Sequence, residues 1–511
     1  MNIVLITPTP PNIDAFGVRM LSSVMKRAGF QVRIIFLPGG IGRLRFDSSY
    51  VYRYPGKVLS RISELCCEAD LIGLSLMSLY FDRAVQVTDH LRKELPRKPI
   101  LWGGTHPTYR PEQCLNHCDG VCIGEGELAI LEIVERMVSG GDFSEVPGCW
   151  FRKDEGIRKN EVGQIVGNLD ELPFIDYDFH NHYVFEGKSG EIRQITPEIM
   201  KDQFLKLPYF GNRNRFAYRT MTSRGCPHNC SYCASSAMRR LRRRSVNHVI
   251  KELKAVMQQF DYVEIISFFD DTFFAAPVEY FEEFRDRYKN EIGLPFHAQC
   301  SPTTLDKKKL DLLVDAGLYH TEMGIQTGSR RIQQMYRRVV PDEKVLSAAT
   351  LLNGYASKML VPDYHIILDN PWENIEDVQD TLQLLLRLPR KFRLKLSSLI
   401  FFPGTALNDQ ARNEGILRDE LAEVCRKPFT FPKGTYLNYL IYLSGFAAVP
   451  RGLLRFFSSD LLVKLLHRQR PSRFYAALFI ITDKITLLCR GVQPLLRLDF
   501  KRIVNHFRLL K

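Results

Sequence analysis

Short apolar runs of strand length alternate with segments of helical period along most of this 511-residue chain, and that alternation restricts it to layered α/β architectures. Ile3 to Ile6 reads as a buried parallel strand. Val18, Leu21, Val24, Met25 and Ala28 recur at helical spacing, Gly29 stops that helix, and Val32 to Leu37 supplies the next strand. The rhythm continues through Leu71 to Leu76, a helix over 82–94, and strands at Ile100 to Trp102 and Gly120 to Ile123. A Rossmann-like, doubly wound parallel sheet is therefore expected over residues 1–140. Gly140, Gly141, Pro173, Pro197 and Pro208 interrupt the pattern, so residues 141–215 read as a connector with one hairpin, from Cys149 to Lys159. Strands resume at Tyr218 to Thr222, Val263 to Phe268, Phe296 to Gln299, His320 to Ile325, Tyr364 to Leu368 and Leu394 to Phe402. Six strands with helices between them predict a partial (β/α)6 barrel over residues 216–410, then a helical region over 411–511.

Apolar residues make up 45% and charged residues 25%, which excludes wholesale disorder and a polytopic membrane protein. Twelve cysteines are too sparse for an extracellular disulfide framework, and the opening MNIVLITPTP lacks the basic segment of a secretory signal. A cytoplasmic location with free thiols is expected.

Three of those thiols are spaced for a purpose. Cys226, Cys230 and Cys233 stand three and then two residues apart, directly after an expected strand. Three thiolates are one short of the usual four for an iron–sulfur cluster, so a cubane held this way keeps one iron open to another ligand. The competing readings are three unrelated buried thiols or a zinc site completed by His228, which lies inside the loop.

This C-x3-C-x2-C pattern, with Tyr232 before its last cysteine, resembles the signature of radical S-adenosylmethionine (SAM) enzymes. Phe268 to Phe273 is similar to the end of that family's second barrel strand, and Met323 to Ser329 to its G-I-E-S-G-S segment, with Gln326 and Thr327 in place of Glu and Ser. Asp369 to Glu373 and Phe402 to Leu407 resemble the turns that close its last two strands. The resemblance implies a 4Fe-4S cluster on Cys226, Cys230 and Cys233 whose open iron chelates SAM. It implies a SAM pocket shaped by Tyr232, Gly324, Gln326 and Ser329, and reductive cleavage of SAM to a 5′-deoxyadenosyl radical. It also implies an electron donor such as a ferredoxin or flavodoxin.

The amino-terminal segment resembles the cobalamin-binding domain fused ahead of one radical SAM subgroup, through Gly17, Gly73 to Ser75, Gly103, Gly104 and Gly124 to Glu127. Glycines at the carboxyl ends of parallel strands let backbone approach a bulky ligand. Gly17, Ser75, Gly103, Gly104 and Glu125 are the expected cobalamin contacts; a Rossmann-like fold with no ligand is the alternative. Cobalamin domains that give cobalt a histidine carry D-x-H-x-x-G here, whereas this chain reads Asn12 to Gly17 with Asp14 in the histidine position. Cobalamin without a histidine ligand is thus expected, and His106 reads as a loop residue. The resemblance spans residues 1–410 and implies a cobalamin-dependent methyltransferase acting on carbon. Cyclisation or rearrangement with the same cofactors is the runner-up. Members of the subgroup act on lipids, tetrapyrroles, peptides and antibiotic precursors, and no segment here chooses among them.

Several features remain. Cys114, Cys118 and Cys122 are weighed as an auxiliary metal site and read as packing, as are Cys66, Cys67, Cys149, Cys300, Cys425 and Cys489. Arg239, Arg240, Arg242, Arg243 and Arg244 form a run that reads as a solvated face, with an anion-binding rim as the alternative. Of the net charge of +13, Arg451 to Lys511 contributes +10, from 13 Lys and Arg against Asp460, Asp483 and Asp499. Leu454, Phe457, Leu461 and Leu465 are expected on one helical face, and Phe474, Leu478, Ile481, Ile485 and Leu488 on another. Basic amphipathic helices favour anionic membrane surfaces; packing on the barrel is the alternative. A third class, an RNA-modifying protein, lacks the further cysteine clusters and β-rich module that such relatives carry.

Overall fold

The computed structural model describes residues 1–8, 13–38, 52–187, 189–211, 213–237, 240–426, 432–466 and 471–496, without the side chains of 236–237 and 487–496. Asn12, Arg239, and the side chains of Leu488 and Cys489 therefore lie outside it.

Strands β1 (Asn2–Thr7), β2 (Gln31–Phe36), β3 (Leu71–Ser75), β4 (Ile100–Gly103) and β5 (Gly120–Cys122) pair in parallel in the order β5-β4-β3-β1-β2. Ile3 and Leu5 join the apolar cluster on one face and Val4 and Ile6 the cluster on the other, so both faces are covered. Helix Phe16–Arg27 buries Val18, Val24 and Met25, and helices Gly56–Cys66 and Phe81–Glu94 cover the opposite side. The winding direction reverses between β1 and β3. That reversal leaves a crevice beyond their carboxyl ends.

Residues 141–215 carry two hairpins that widen this sheet at both edges. Strands β6 (Cys149–Lys153) and β7 (Gly156–Lys159) continue it antiparallel from β5. At the other edge β8 (Tyr183–Glu186) pairs in parallel with β2 and turns back as β9 (Glu191–Gln194). Only the first hairpin is legible in the sequence, because β8 is short and takes its place from Ile35 and Phe36 beside it.

The second sheet begins with β10 (Leu205–Tyr209), antiparallel to β11 (Arg213–Thr220). A two-stranded ribbon, β12 (Ser223–Arg224) with β13 (Arg242–Arg243), brackets the cysteine loop. Strands β14 (Ile265–Phe268), β15 (Phe296–Cys300), β16 (Leu318–Gln326), β17 (Asp363–Leu368) and β18 (Arg393–Ser398) follow β11 in parallel and in chain order, the partial (β/α)6 barrel that the pattern predicts. One apolar cluster runs from Ile3, Phe36 and Val134 through Phe204 and Tyr218 to Val249 and Phe260. The two sheets thus share a core, which sets the width of the crevice between them.

The carboxyl-terminal region is helical: Ala406–Asn413, Tyr436–Ser444, Arg451–Phe457, Asp460–Leu466 and Arg473–Leu496. The expected face Leu454, Phe457, Leu461 and Leu465 is divided between two helices that break at Ser458 and Ser459. Leu454 is buried while Leu461 and Leu465 face solvent. On the last helix Tyr475 and Phe479 pack against Tyr436, Tyr439 and Tyr442, leaving Phe474, Ile481 and Ile485 exposed. Among the described residues no helix is long and apolar enough to cross a membrane.

Candidate active site at the domain junction

Cys226, Cys230 and Cys233 occupy the loop after β12, and a buried carboxylate fixes where that loop starts. Asp270, fully buried just past β14, accepts from the Thr222 backbone N–H at 3.0 Å, the Thr222 hydroxyl at 2.8 Å and the Ser223 hydroxyl. Cys230 is buried and the other two are half-buried; burial raises the thiols of Cys226 and Cys233. Arg338, from the segment after helix Arg330–Met335, reaches this loop with Nη1 3.6 Å from Cys230 Sγ, while its Nη2 donates to the Gly324 carbonyl at 3.1 Å. Arg338 Nε and His228 Nε2 are both buried without a hydrogen-bond partner. Unsatisfied donor-capable nitrogens beside three thiols fit an anionic inorganic cluster held by thiolates.

Tyr232 and Gln326 line a cavity of about 230 Å³ beside this loop, together with His365, Ser398 and Phe402. The Tyr232 ring stands edge-on to Tyr336 at 4.8 Å. Gln326 takes φ of 75° at the end of β16 and packs its amide against Gly324, where a Cβ would lie 2.6 Å from Nε2 and push the amide aside. Ser329 does not line the cavity. It is the buried cap of helix Arg330–Met335, accepting from Ile332 N–H and donating to Asp377. Of the four expected SAM contacts, the fold joins Tyr232 and Gln326 in one cavity, Gly324 supports them from behind, and Ser329 serves a helix terminus.

A larger cavity of about 530 Å³ lies at the carboxyl ends of β1, β3 and β4, and Gly17, Ser75, Gly103, Gly104 and Glu125 all line it. Gly104 has φ of 100°, and a Cβ there would come 2.7 Å from the Leu76 carbonyl. Gly17 and Gly124 border open space where any side chain would project. A largely apolar crevice with such bare backbone fits the broad face of a corrin. The barrel supplies the facing wall through Met221, Arg224, Gly225, Phe269 and Asp271. Gly225 adjoins Cys226, so the cysteine loop borders this cavity. Tyr109, at the end of helix Thr105–Tyr109, bridges the two parts of the chain: it donates to the Ala234 carbonyl and lies over Gly404, where a Cβ would clash with the ring at 1.9 Å.

Three nearby imidazole and carboxylate positions bear on cobalt. Asp14 does not line the cavity and pairs with Arg219 of β11 at 3.5 Å. His106 is fully buried within the short helix Thr105–Tyr109, held by Ser78 at 3.0 Å and Gln113 at 3.2 Å, and burial lowers it to about 4. It is a helical packing residue, not the loop residue expected. His248 does line the cavity, with Nδ1 accepting from Arg244 Nε at 2.9 Å.

The arginine run is neither a solvated face nor an anion rim. Arg242 is buried and pairs with Glu125, whose second partner is Arg224 at 3.5 Å; Arg244 is buried against Glu252; Arg243 stacks over Tyr280. Only Arg240 among the described members is exposed. Glu125 is thus an interdomain anchor at the cavity edge, and its arginine partners offset the burial cost and keep it ionised. Cys114 and Cys118 pack on one face of the first sheet and Cys122 on the other, so the triplet shares no metal site. Sequence reasoning missed Arg338. Arg338 belongs to no recognisable motif, and its role appears only when helix Arg330–Met335 folds back beneath the loop.

Comparison with known proteins agrees with this geometry. The B12 binding domain family model matches residues 3–134 and the Radical SAM superfamily model residues 220–385. An uncharacterized methyltransferase of Pyrococcus horikoshii is 24% identical over 358 residues, 68% of this chain and 71% of that protein. The cytidylyl-2-hydroxyethylphosphonate methyltransferase of Streptomyces wedmorensis is 26% identical over 407 residues, 71% of each chain. The radical SAM methyltransferase TsrM of Kitasatospora setae, solved with cobalamin and a [4Fe-4S] cluster, shares the fold, with a TM-score of 0.59 and 15% identity over 81% of this chain and 75% of that one. With a B12-binding domain and a radical SAM barrel meeting at one crevice, the chain belongs to the cobalamin-binding radical SAM enzymes.

Proposed function

We propose that this protein transfers a methyl group from SAM to a carbon centre of a small or lipid-like substrate, using cobalamin and a 4Fe-4S cluster. The observation that carries the reading is the shared wall: Gly225, next to Cys226, and Gly104, at the end of β4, line the same cavity. When bound, the cofactors supply a transferable methyl group and one-electron cleavage of SAM. The chain's own residues position and shield. Cys226, Cys230 and Cys233 would hold the cluster, Arg338 offsets the thiolate charge, Tyr232 and Gln326 border the SAM cavity, and Tyr109, bonded to Ala234 and packed over Gly404, ties the amino-terminal domain to the barrel. A ferredoxin or flavodoxin is the class of donor that this chemistry calls for.

Anaerobic protein reconstituted with iron, sulfide and cobalamin, then given SAM and candidate substrates, is expected to form both 5′-deoxyadenosine and S-adenosylhomocysteine in a substrate-dependent way. Deoxyadenosine alone, with no methylated product, would instead support cyclisation or rearrangement.

The helical carboxyl-terminal region supports an anionic membrane as the surface on which the protein works. Leu461 is 78% and Phe456 63% exposed, beside Arg455 and Lys464, with Phe474, Ile481 and Ile485 exposed on the last helix. Each basic residue near an anionic surface contributes about 1 kcal/mol, so a few suffice when apolar side chains also insert. Full-length protein is expected to co-sediment with phosphatidylserine-containing vesicles at low salt and to be released near 1 M salt, where screening shortens to about 3 Å. Truncation after Val449 should remove binding and leave cluster assembly intact. Equal sedimentation of both forms, or of neither, would assign these helices to packing alone.

A further inference from the structure

Strands β5 and β6 set two cysteines face to face in the wall of the larger cavity. Cys122 closes β5, Cys149 opens β6, and the antiparallel register puts them directly opposite each other. Ile123 N–H donates to the Gly148 carbonyl at 2.8 Å and Arg152 N–H to the Asp119 carbonyl at 2.8 Å, so 123 with 148 and 119 with 152 are hydrogen-bonded positions of this ladder. Alternation then makes Cys122 and Cys149 a non-hydrogen-bonded pair, in which opposed Cα atoms stand about 4.5 Å apart and side chains approach most closely. Disulfides span Cα separations of about 4.4 to 6.8 Å, so a bond between these two sulfurs fits the backbone as it stands.

The surroundings of the pair are the second observation. Both side chains line the cavity of about 530 Å³ and join the same apolar cluster. Cys122 is half-buried and Cys149 is 1% exposed. Hydrogen bonding to the Cys122 thiol, together with burial, pushes the Cys149 thiol up. Cys149 therefore holds its proton while Cys122, the more accessible sulfur, meets a reagent first. Other described cysteines are arranged differently. Cys118 Sγ is turned to the Cys114 and Gly120 carbonyls at 3.2 and 3.3 Å, and Cys300 stands opposite Met323.

We propose that Cys122 and Cys149 are a dithiol–disulfide couple, a site of reversible oxidation that opens to the crevice and is covered when cobalamin fills it. The covering rests on the proposed function; the couple itself does not. A diazene oxidant such as diamide accepts the two electrons. The Cys122 thiolate adds to the N=N bond, Cys149 then attacks the Cys122 sulfur, and the S–S bond forms as the hydrazine leaves with both thiol protons on nitrogen. The bond would fasten the root of the loop from Gly124 to Glu127, which carries the interdomain anchor Glu125, to the β6–β7 hairpin.

Peptide mapping of the full-length, cluster-loaded protein tests this. Cobalamin-free protein treated anaerobically with diamide, blocked with N-ethylmaleimide and digested is expected to give a peptide cross-linked through Cys122 and Cys149 in most chains, and dithiothreitol should restore both thiols. With hydroxocobalamin at about tenfold over its dissociation constant, the cross-link should form about tenfold more slowly, because only the unfilled fraction reacts. Cys149→Ala should give no cross-link and leave Cys122 to take N-ethylmaleimide. Absence of the cross-linked peptide from the parent protein, at an excess of diamide that fully oxidises glutathione in a parallel sample, would overturn the couple. Equal rates with and without bound corrin, its presence shown by its absorbance, would overturn the covering. A protein that cross-links but takes up no cobalamin would keep the couple and refute the cobalamin reading, and the covering with it.

Discussion

Replacing Cys226, Cys230 and Cys233 together by Ala is expected to remove the cluster iron, the absorbance near about 400 nm that such clusters give, and all SAM cleavage. The effect should be complete because no other described thiols can substitute. Cys114 and Cys118 are sealed in the first sheet's core, Cys300 is buried in the barrel, and Cys425 is buried on the far side of the junction. The fold should survive, since the loop is held at its start by Asp270 and not by the thiols. Arg338 gives the prediction an internal check. Its half-buried guanidinium faces Cys230, so the triple variant leaves a cation without its anion and should unfold at a lower temperature than the parent chain. Retention of about four irons per chain by the triple variant would place the cluster elsewhere.

Cob(II)alamin taken up by the protein is expected to show no nitrogen hyperfine splitting from an axial base. The nearest candidates are already committed. Asp14 pairs with Arg219, and His106 is buried between Ser78 and Gln113. His248 is the only histidine among the described cavity-lining residues, and its Nδ1 accepts from Arg244. Ligation by His248 would break that bond and leave the Nε–H of Arg244 without its acceptor, while Glu252 and the Met221 carbonyl hold the rest of the guanidinium. A nitrogen-coupled spectrum would overturn the assignment and point to His248; its loss in His248→Phe would settle the matter. Absence of cobalamin uptake would remove the domain's proposed role altogether.

Elements that satisfy themselves locally were the ones legible in the sequence. Strands β1, β3 and β4 are apolar runs bounded by turn residues, and the loop from Cys226 to Cys233 carries its spacing in eight consecutive positions. The hairpin β8–β9 was illegible because its hydrogen-bond partners lie some 150 residues away on β2. The arginine run misled for a related reason. A cluster of charges reads as solvated until its counter-charges are placed, and Glu125 and Glu252 come from different parts of the chain.

The sequence by itself determined the α/β class, the spacing that puts Cys226, Cys230 and Cys233 on one loop, the glycine-lined crevice and the absence of a histidine at position 14. Each depends on residue type at short spacing, which the chain states directly. Tertiary structure alone decided that Ser329 caps a helix, that Arg338 sits under the cluster loop, and that His297, His320 and Glu322 meet inside the barrel. The physical reason is that buried charge and lone pairs must be matched across strands and helices far apart in the chain. Spacing along the chain holds no record of those pairings.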